Sequence, residues 1–390
     1  MKTKQRLILL ILALLAVMYF VLVQPVSRNT PQSRAVDISG FLSGQQHEGF
    51  TRARPGTKPE FPADHGAHED YRHEWWYFTG NLKDGEGRRF GFQLTFFRLA
   101  LAARQSPRES AWQADHLWMA HFAISDPEAN RFFAEQDYAR GALDLAGAVA
   151  DPFSVWVNNW SVGDGQQQLA GTAPDDRIPG GGLNLDLAAR GENMALELRL
   201  VSNEPAVLHG DSGYSVKNHS GSNASWYYSY PDLSASGKLR IGEREWRVDG
   251  LAWMDHEWSS SPLDKSQNGW DWFGLRFSNG DHLMIFQVRQ TDGRHYRYGL
   301  WMKPDGETVQ LTGDWSMSPE STWKNERGVE YPVIWRIRAP AHGIDLSVEA
   351  QMSEQWLDLD FSYWEGAVDV RGSLQRQKVS GEGYMELTGY

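Results

Sequence analysis

Short runs in which apolar and polar residues alternate, each closed by a Gly, Asn or Asp turn, recur from residue 74 to the end of this chain. Trp75 to Leu82 runs into Lys83-Asp84-Gly85. In the following run, Phe90 to Arg98, Phe90, Phe92, Leu94 and Phe96 fall on one face and Gly91, Gln93 and Thr95 on the other. The pattern returns over 194–201 and 239–248, and again from Trp272 through the turn Ser278-Asn279-Gly280 into 283–289. Successive side chains of a strand point to opposite faces, so a period of two specifies half-buried strands joined by hairpins. Beyond residues 7–23 no stretch sustains a 3.6-residue period. The expected fold class is therefore all-β and antiparallel, sandwich or barrel, with closure favouring barrels because it removes exposed edges.

The runs repeat in order. Trp76-Tyr77, the turn Asp84-Gly85 and Phe92-Gln93 line up with Trp272-Phe273, Asn279-Gly280 and Phe286-Gln287. Val248-x-Gly250-x-x-Trp253-Met254-Asp255 then matches Val379-x-Gly381-x-x-Tyr384-Met385-Glu386 with identical spacing. Two landmarks in one order imply two copies of a β-unit, residues 63–258 and 259–390. Trp76 and Asp255 lie 179 positions apart, Trp272 and Glu386 only 114, so the first copy carries an insertion. The Gly-, Asp- and Gln-rich residues 163–182 and the Ser/Tyr/Gly-rich residues 209–231 are its expected location.

A chain of 390 residues exceeds what one core usually serves, in keeping with two domains. It has 18 Trp, 14 Tyr, 17 Phe and no Cys. Zero Cys removes disulfides, thiolate metal sites, iron–sulfur clusters and a cysteine nucleophile together. The net charge of −12 argues against a nucleic-acid partner, and the aromatic excess needs a reading other than base stacking. Lys2, Lys4 and Arg6 precede an unbroken apolar run over 7–23. That run reads as a signal anchor or signal peptide within residues 1–25, with 26–62 as a tether. The basic end stays inside, so the body is expected on the periplasmic or extracellular side, tied to the membrane by 7–23 or secreted after cleavage.

Four strings carry a resemblance: His73-Glu74-Trp75-Trp76-Tyr77-Phe78-Thr79-Gly80, Ala120-His121-Phe122-Ala123-Ile124-Ser125-Asp126, Trp253-Met254-Asp255-His256-Glu257-Trp258 and Gly383-Tyr384-Met385-Glu386-Leu387-Thr388-Gly389-Tyr390. With them the chain resembles the AttH-like, carotenoid 1,2-hydratase-like family over about residues 63–390. The resemblance implies two lipocalin-like β-barrels packed together after the N-terminal segment. It also implies that Asp255 falls on the pocket acid with which the hydratases protonate an isoprenoid double bond. Trp253 and Glu257 stand where those enzymes tend to have Tyr and Asn, and the expected export is a further departure.

Alternation sends Trp253, Asp255 and Glu257 to one face and Met254, His256 and Trp258 to the other. An acid among indoles is poorly solvated, which raises its pKa and suits it to donate a proton near neutral pH. Asp255, His256 and Glu257 are accordingly the catalytic candidates. Trp75, Tyr77, Arg98, His121, Trp253, Trp258 and Trp272 are the ligand-binding candidates. Structural roles compete: Asp255 as a turn cap or ion-pair partner, Arg98 as partner of Glu74 or Asp255, Glu386 as a residue closing the second barrel. His65, His68 and His73 with Asp64 and Glu69 match no trusted metal spacing, and no metal is expected. The chain has neither G-x-S-x-G nor G-x-G-x-x-G, which disfavours a serine hydrolase and a nucleotide cofactor. No cofactor is expected. The favoured reading is an exported binding protein for a hydrophobic small molecule, such as an isoprenoid or lipid, accessory to an ABC-type envelope transporter. Its rivals are a cofactor-independent hydratase, cyclase or isomerase using Asp255, and a hydrolase.

Overall fold

A computed structural model describes residues 49–103, 110, 112–165, 181–260, 263 and 266–390. The expected membrane segment over 7–23, most of the tether, and the larger part of residues 163–182 lie outside the described residues. Among the described residues the regular elements are strands and single turns of 3₁₀ helix.

The strands form two antiparallel sheets, of 13 and 10 strands. In the first, His73–Asp84 pairs on one side with Arg89–Ala100 and on the other with Arg244–Ser259, the last strand of that sheet. In the second, Gln267–Phe277 sits in the same way between His282–Gln290 and the final strand Gln377–Leu387. The free edges of the first sheet, Arg131–Arg140 and Ala146–Ala150, are consecutive in the chain, as are Thr308–Gln310 and Ser316–Lys324 in the second. A turn of five residues joins each pair, so each sheet has to curl until its edges approach. The result is lipocalin-like, one nearly closed barrel and one half-barrel.

Strand for strand the sheets repeat, and the register refines the repeat. Asp255 pairs with Tyr77, and Glu386 with Trp272. Tyr77, not Trp76, is thus the equivalent of Trp272, one residue from the alignment read off the sequence. In a pleated strand a slip of one moves a side chain to the other face. Trp76 accordingly packs inside the first barrel, whereas Trp272 packs between the sheets. The expected insertion lies partly where the sequence put it: 18 residues separate Trp160–Asp164 from Leu183–Arg190, against five between the equivalent Ser316–Lys324 and Glu330–Ala339. Part of the excess is the hairpin of Ala146–Ala150 and Phe153–Val157, which has no counterpart in the second sheet. Residues from Ala224 onward belong to Ala224–Ile241, a central strand of 18 residues.

Three large apolar clusters follow from the alternation, beside a small one of Ala123, Leu357 and Tyr363. One fills the first barrel, around Trp76, Phe78, Phe92 and Trp258. Another lies inside the second sheet, around Phe273, Trp335 and Trp364. The third joins Tyr77, Tyr227 and Trp253 to Trp272, Phe286 and Tyr384, residues of both sheets. Asn81 Nδ2 donates to the Gly383 carbonyl across this seam at 3.1 Å, and Arg276 to that of Leu251 at 3.0 Å. Gly91 lets the backbones approach, since a Cβ there would lie 2.8 Å from that of Ala367.

Candidate functional site between the two sheets

The equivalent rows of the two sheets face each other. Across the first sheet, neighbouring strands place His121, Thr95, Tyr77, Asp255 and Ser229 in one row. Across the second, Tyr298, Phe286, Trp272, Glu386 and Glu365 line up in the same way. Between the rows lies a cavity of about 100 Å³, walled largely by Trp75, Phe97, Trp270, Trp272, Phe286 and Tyr363. Trp75, Phe97, Met119 and Phe361 also line an adjoining groove of about 340 Å³.

Asp255 is 4% exposed and its carboxyl accepts three hydrogen bonds. Tyr227 Oη donates at 2.6 Å, Trp253 Nε1 at 2.6 Å, and Ser229 Oγ at short range. Burial raises its pKa and outweighs the three donors, which lower it, so that the group sits at about 7. Tyr227 in turn receives the indole N–H of Trp272 at 3.1 Å, which links the acid to the second sheet. Ser229 gives its proton to Asp255 and so accepts from His209 Nε2 at 2.7 Å.

The other acids differ in their partners. Glu257 forms an ion pair with Lys217 at 2.8 Å, and the ammonium lies over the rings of Tyr227 and Phe286. Glu386 accepts one hydrogen bond, from Trp270 Nε1 at 3.1 Å; burial raises it to about 8 despite that bond. Glu365 stands directly across the strand pair from Glu386. Burial, then the charge of Glu386, pushes its pKa well above the ordinary carboxylate range. Two adjoining carboxyls with no cation between them cannot both ionise.

Of the residues expected in the site, Asp255, Glu257, Trp75, Tyr77, His121 and Trp272 line the cavity, and Trp253 supports Asp255 from behind. His256, Trp258 and Arg98 do not. His256 and Trp258 sit on the opposite face, inside the first barrel, as the pleat dictates. Arg98 is spent on Glu74, Nε to Oε2 at 2.7 Å, and on the carbonyls of His68 and Tyr71. Glu386, read from sequence as a barrel-closing residue, lines the cavity instead. Tyr227, Ser229, Lys217 and Glu365 were missed. For Tyr227 and Ser229 the alternation of Tyr227-Tyr228-Ser229-Tyr230 was an available signal. Glu365 carries no motif, and only its cross-strand pairing finds it.

Inside the barrel, His68, Glu74 and His256 bring ligand-type atoms within 4.8 Å of one another. The donor set does not suit a metal. Burial would lower the His68 imidazole, but Glu74 and Asp64 raise it to about 9, and both of its ring nitrogens already meet those carboxylates, at 2.6 and 3.0 Å. Arg98 already occupies Glu74. The cluster is an internal ion-pair network.

The model of the AttH-like family matches residues 52–390. A crystal structure of a candidate AttH from Nitrosomonas europaea is 34% identical, with a TM-score of 0.74 over 87% of this chain and 100% of that one. Kievitone hydratase from Nectria haematococca matches at 15% identity and a TM-score of 0.65, over 87% of this chain and 95% of that one. CghA in complex with Sch210972 matches at 13% and 0.50, over 82% and 89% of the two chains. At such identities the last two share the fold. No curated protein matches the sequence significantly. With the family model spanning both sheets and one close structural counterpart covered end to end, the chain belongs to the AttH-like family.

Proposed function

We propose that the cavity between the sheets binds an apolar, unsaturated small molecule and that Asp255 protonates one of its double bonds. The observation that carries this is a carboxylic acid held protonated to about pH 7 inside an aromatic-walled cavity, ringed by donors that fit the carboxylate it becomes. Proton transfer from Asp255 to an alkene carbon leaves a carbocation on the substrate and a carboxylate on Asp255. The hydrogen bonds of Tyr227, Trp253 and Ser229 strengthen as that charge develops, so they stabilise the transition state more than the ground state. The faces of Trp75, Trp272 and Phe286 favour the cation. Water then adds to the cation and its surplus proton returns to Asp255, which completes a hydration. Capture by a second double bond instead closes a ring and moves the cation to that alkene, and loss of an adjacent proton to the Asp255 carboxylate completes a cyclisation. A hydratase among the structural relatives is in keeping with this reading.

The test uses full-length protein purified from its own host. Native mass spectrometry identifies the co-purified molecule, which wild-type protein is expected to convert and Asp255→Asn protein to bind without converting. The loss expected is about 10²- to 10⁴-fold in rate. Conversion by folded Asp255→Asn protein at the wild-type rate overturns the proposal. Because the acid has to be protonated, the rate should fall as pH rises through about 7. Carriage of an apolar molecule without conversion is the second reading, favoured by the aromatic walls; exchange of an unaltered molecule by wild-type protein would support it.

A further inference from the structure

The polar groups of the cavity are unevenly satisfied. Asp255 has three donors and Glu257 has Lys217. Yet Tyr77 Oη, His121 Nε2 and both carboxyl oxygens of Glu365 are buried without a hydrogen bond of good geometry. These groups converge. Tyr77 and Tyr363 both act on the Glu365 carboxyl, and the Tyr363 hydroxyl meets His121 Nδ1 at 2.9 Å. The residues involved are 1 to 5% exposed and line the cavity. Buried polar atoms in folded proteins are almost always paired, and an unpaired one costs about 1–3 kcal/mol. Four of them on the wall of one cavity make a binding feature.

We propose that Tyr77, His121 and Glu365 form a polar pole that seats one oxygen of the ligand, a hydroxyl or a carbonyl, while its unsaturated end meets Asp255. The pole is neutral. Burial holds the His121 imidazole unprotonated, at about 3, and Glu365 carries its proton, so Tyr77 and Glu365 can each donate an O–H. A carboxylate ligand would meet no free cation here, since the ammonium of Lys217 is held by Glu257. A pure hydrocarbon would leave His121 Nε2 unpaired and Glu365 with only its loose contacts to Tyr77 and Tyr363. The substrate class is therefore an apolar molecule with a phenolic, alcoholic or ketonic oxygen. This inference rests on the proposed function only for which end of the ligand reacts.

Phenol and toluene are nearly isosteric and differ in the oxygen, so an NMR titration of the full-length protein with each is the test. A cavity without a polar pole prefers toluene, because the phenol hydroxyl loses its water. Here phenol is expected to bind at least about tenfold more tightly than toluene. Tyr77→Phe and Glu365→Gln should each cut that ratio to within about threefold while toluene binding is kept. Asp255→Asn should leave the ratio unchanged and abolish only conversion, so failure of this inference and failure of the proposed function are distinguishable. Toluene binding as well as phenol, binding of neither, or a ratio indifferent to both pole variants would overturn it. The wild-type ratio needs no variant to fold.

Discussion

Two of the places where the protein buries carboxylates treat them in opposite ways. Inside the first barrel, Glu74 is fully enclosed yet ionised, because Arg98, His68 and His256 surround it at 2.7, 2.6 and 3.0 Å. Burial alone would raise its pKa; the Arg98 and His68 charges overcome that and hold it well below the ordinary range. Between the sheets, Asp255, Glu365 and Glu386 are equally enclosed, and none has a cation as partner: hydroxyls, indoles and other carboxyls surround them, and the one ammonium nearby, Lys217, is held by Glu257. Burial wins there, and the protons stay on. The same desolvation thus yields a structural ion pair in one place and a reservoir of acid in the other, and the difference is only the charge of the partners.

The largest effect should come from breaking the ionised cluster. Glu74→Gln leaves Arg98 buried without its counter-charge and the His68 imidazolium with Asp64 alone, which costs about 3–5 kcal/mol. Thermal or denaturant unfolding measures it, and a loss below about 1 kcal/mol would mean that the network does not hold the barrel.

The pH dependence sharpens the contrast next. Asp255 has a folded pKa of about 7, raised above its ordinary 3.8. Its contribution is therefore fully present below about pH 4 and is lost as pH rises through about 7. His68, raised to about 9 from 6.5, contributes below about pH 6.5 and loses that contribution as pH rises through about 9. Glu74 has the opposite sign: its folded pKa is depressed, so its contribution is present above about 4.5 and is lost in acid. Unfolding midpoints of wild type and Asp255→Asn should consequently diverge between about pH 4 and 7, the variant gaining relative to wild type, and run parallel above that. Parallel curves throughout would mean that Asp255 is ionised in the cavity.

A small effect completes the comparison. Arg89 and Asp369 pair across the seam but are about one third exposed, at 32% and 33%. Water screens them, and Arg89→Ala should cost less than about 1 kcal/mol in unfolding. A larger loss would show that the seam depends on its rim as well as its apolar centre.

Much of this was legible beforehand. The alternation in 90–98 and 253–258 assigned faces correctly, and it separated Asp255 and Glu257 from His256 and Trp258. The repeat unit carrying Asp255 and Glu386 was also readable, because spacing within one strand is conserved by its hydrogen bonds. The match of Trp76 with Trp272 slipped by one, since aromatic residues occupy both faces of those strands and identity alone does not record the register. The start of the central strand at Ala224 reads as part of the insertion because Ser and Gly, which are also turn residues, mask its alternation.

What the sequence alone determined is an all-β chain whose side chains are sorted by face, because the pleat is a local property of consecutive residues. Which acids are charged was decided only by tertiary structure. His256 reaches Glu74 across 182 positions, and Tyr363 reaches His121 across 242. A pKa depends on what stands opposite a group at a few ångströms, and no spacing along the chain encodes that distance.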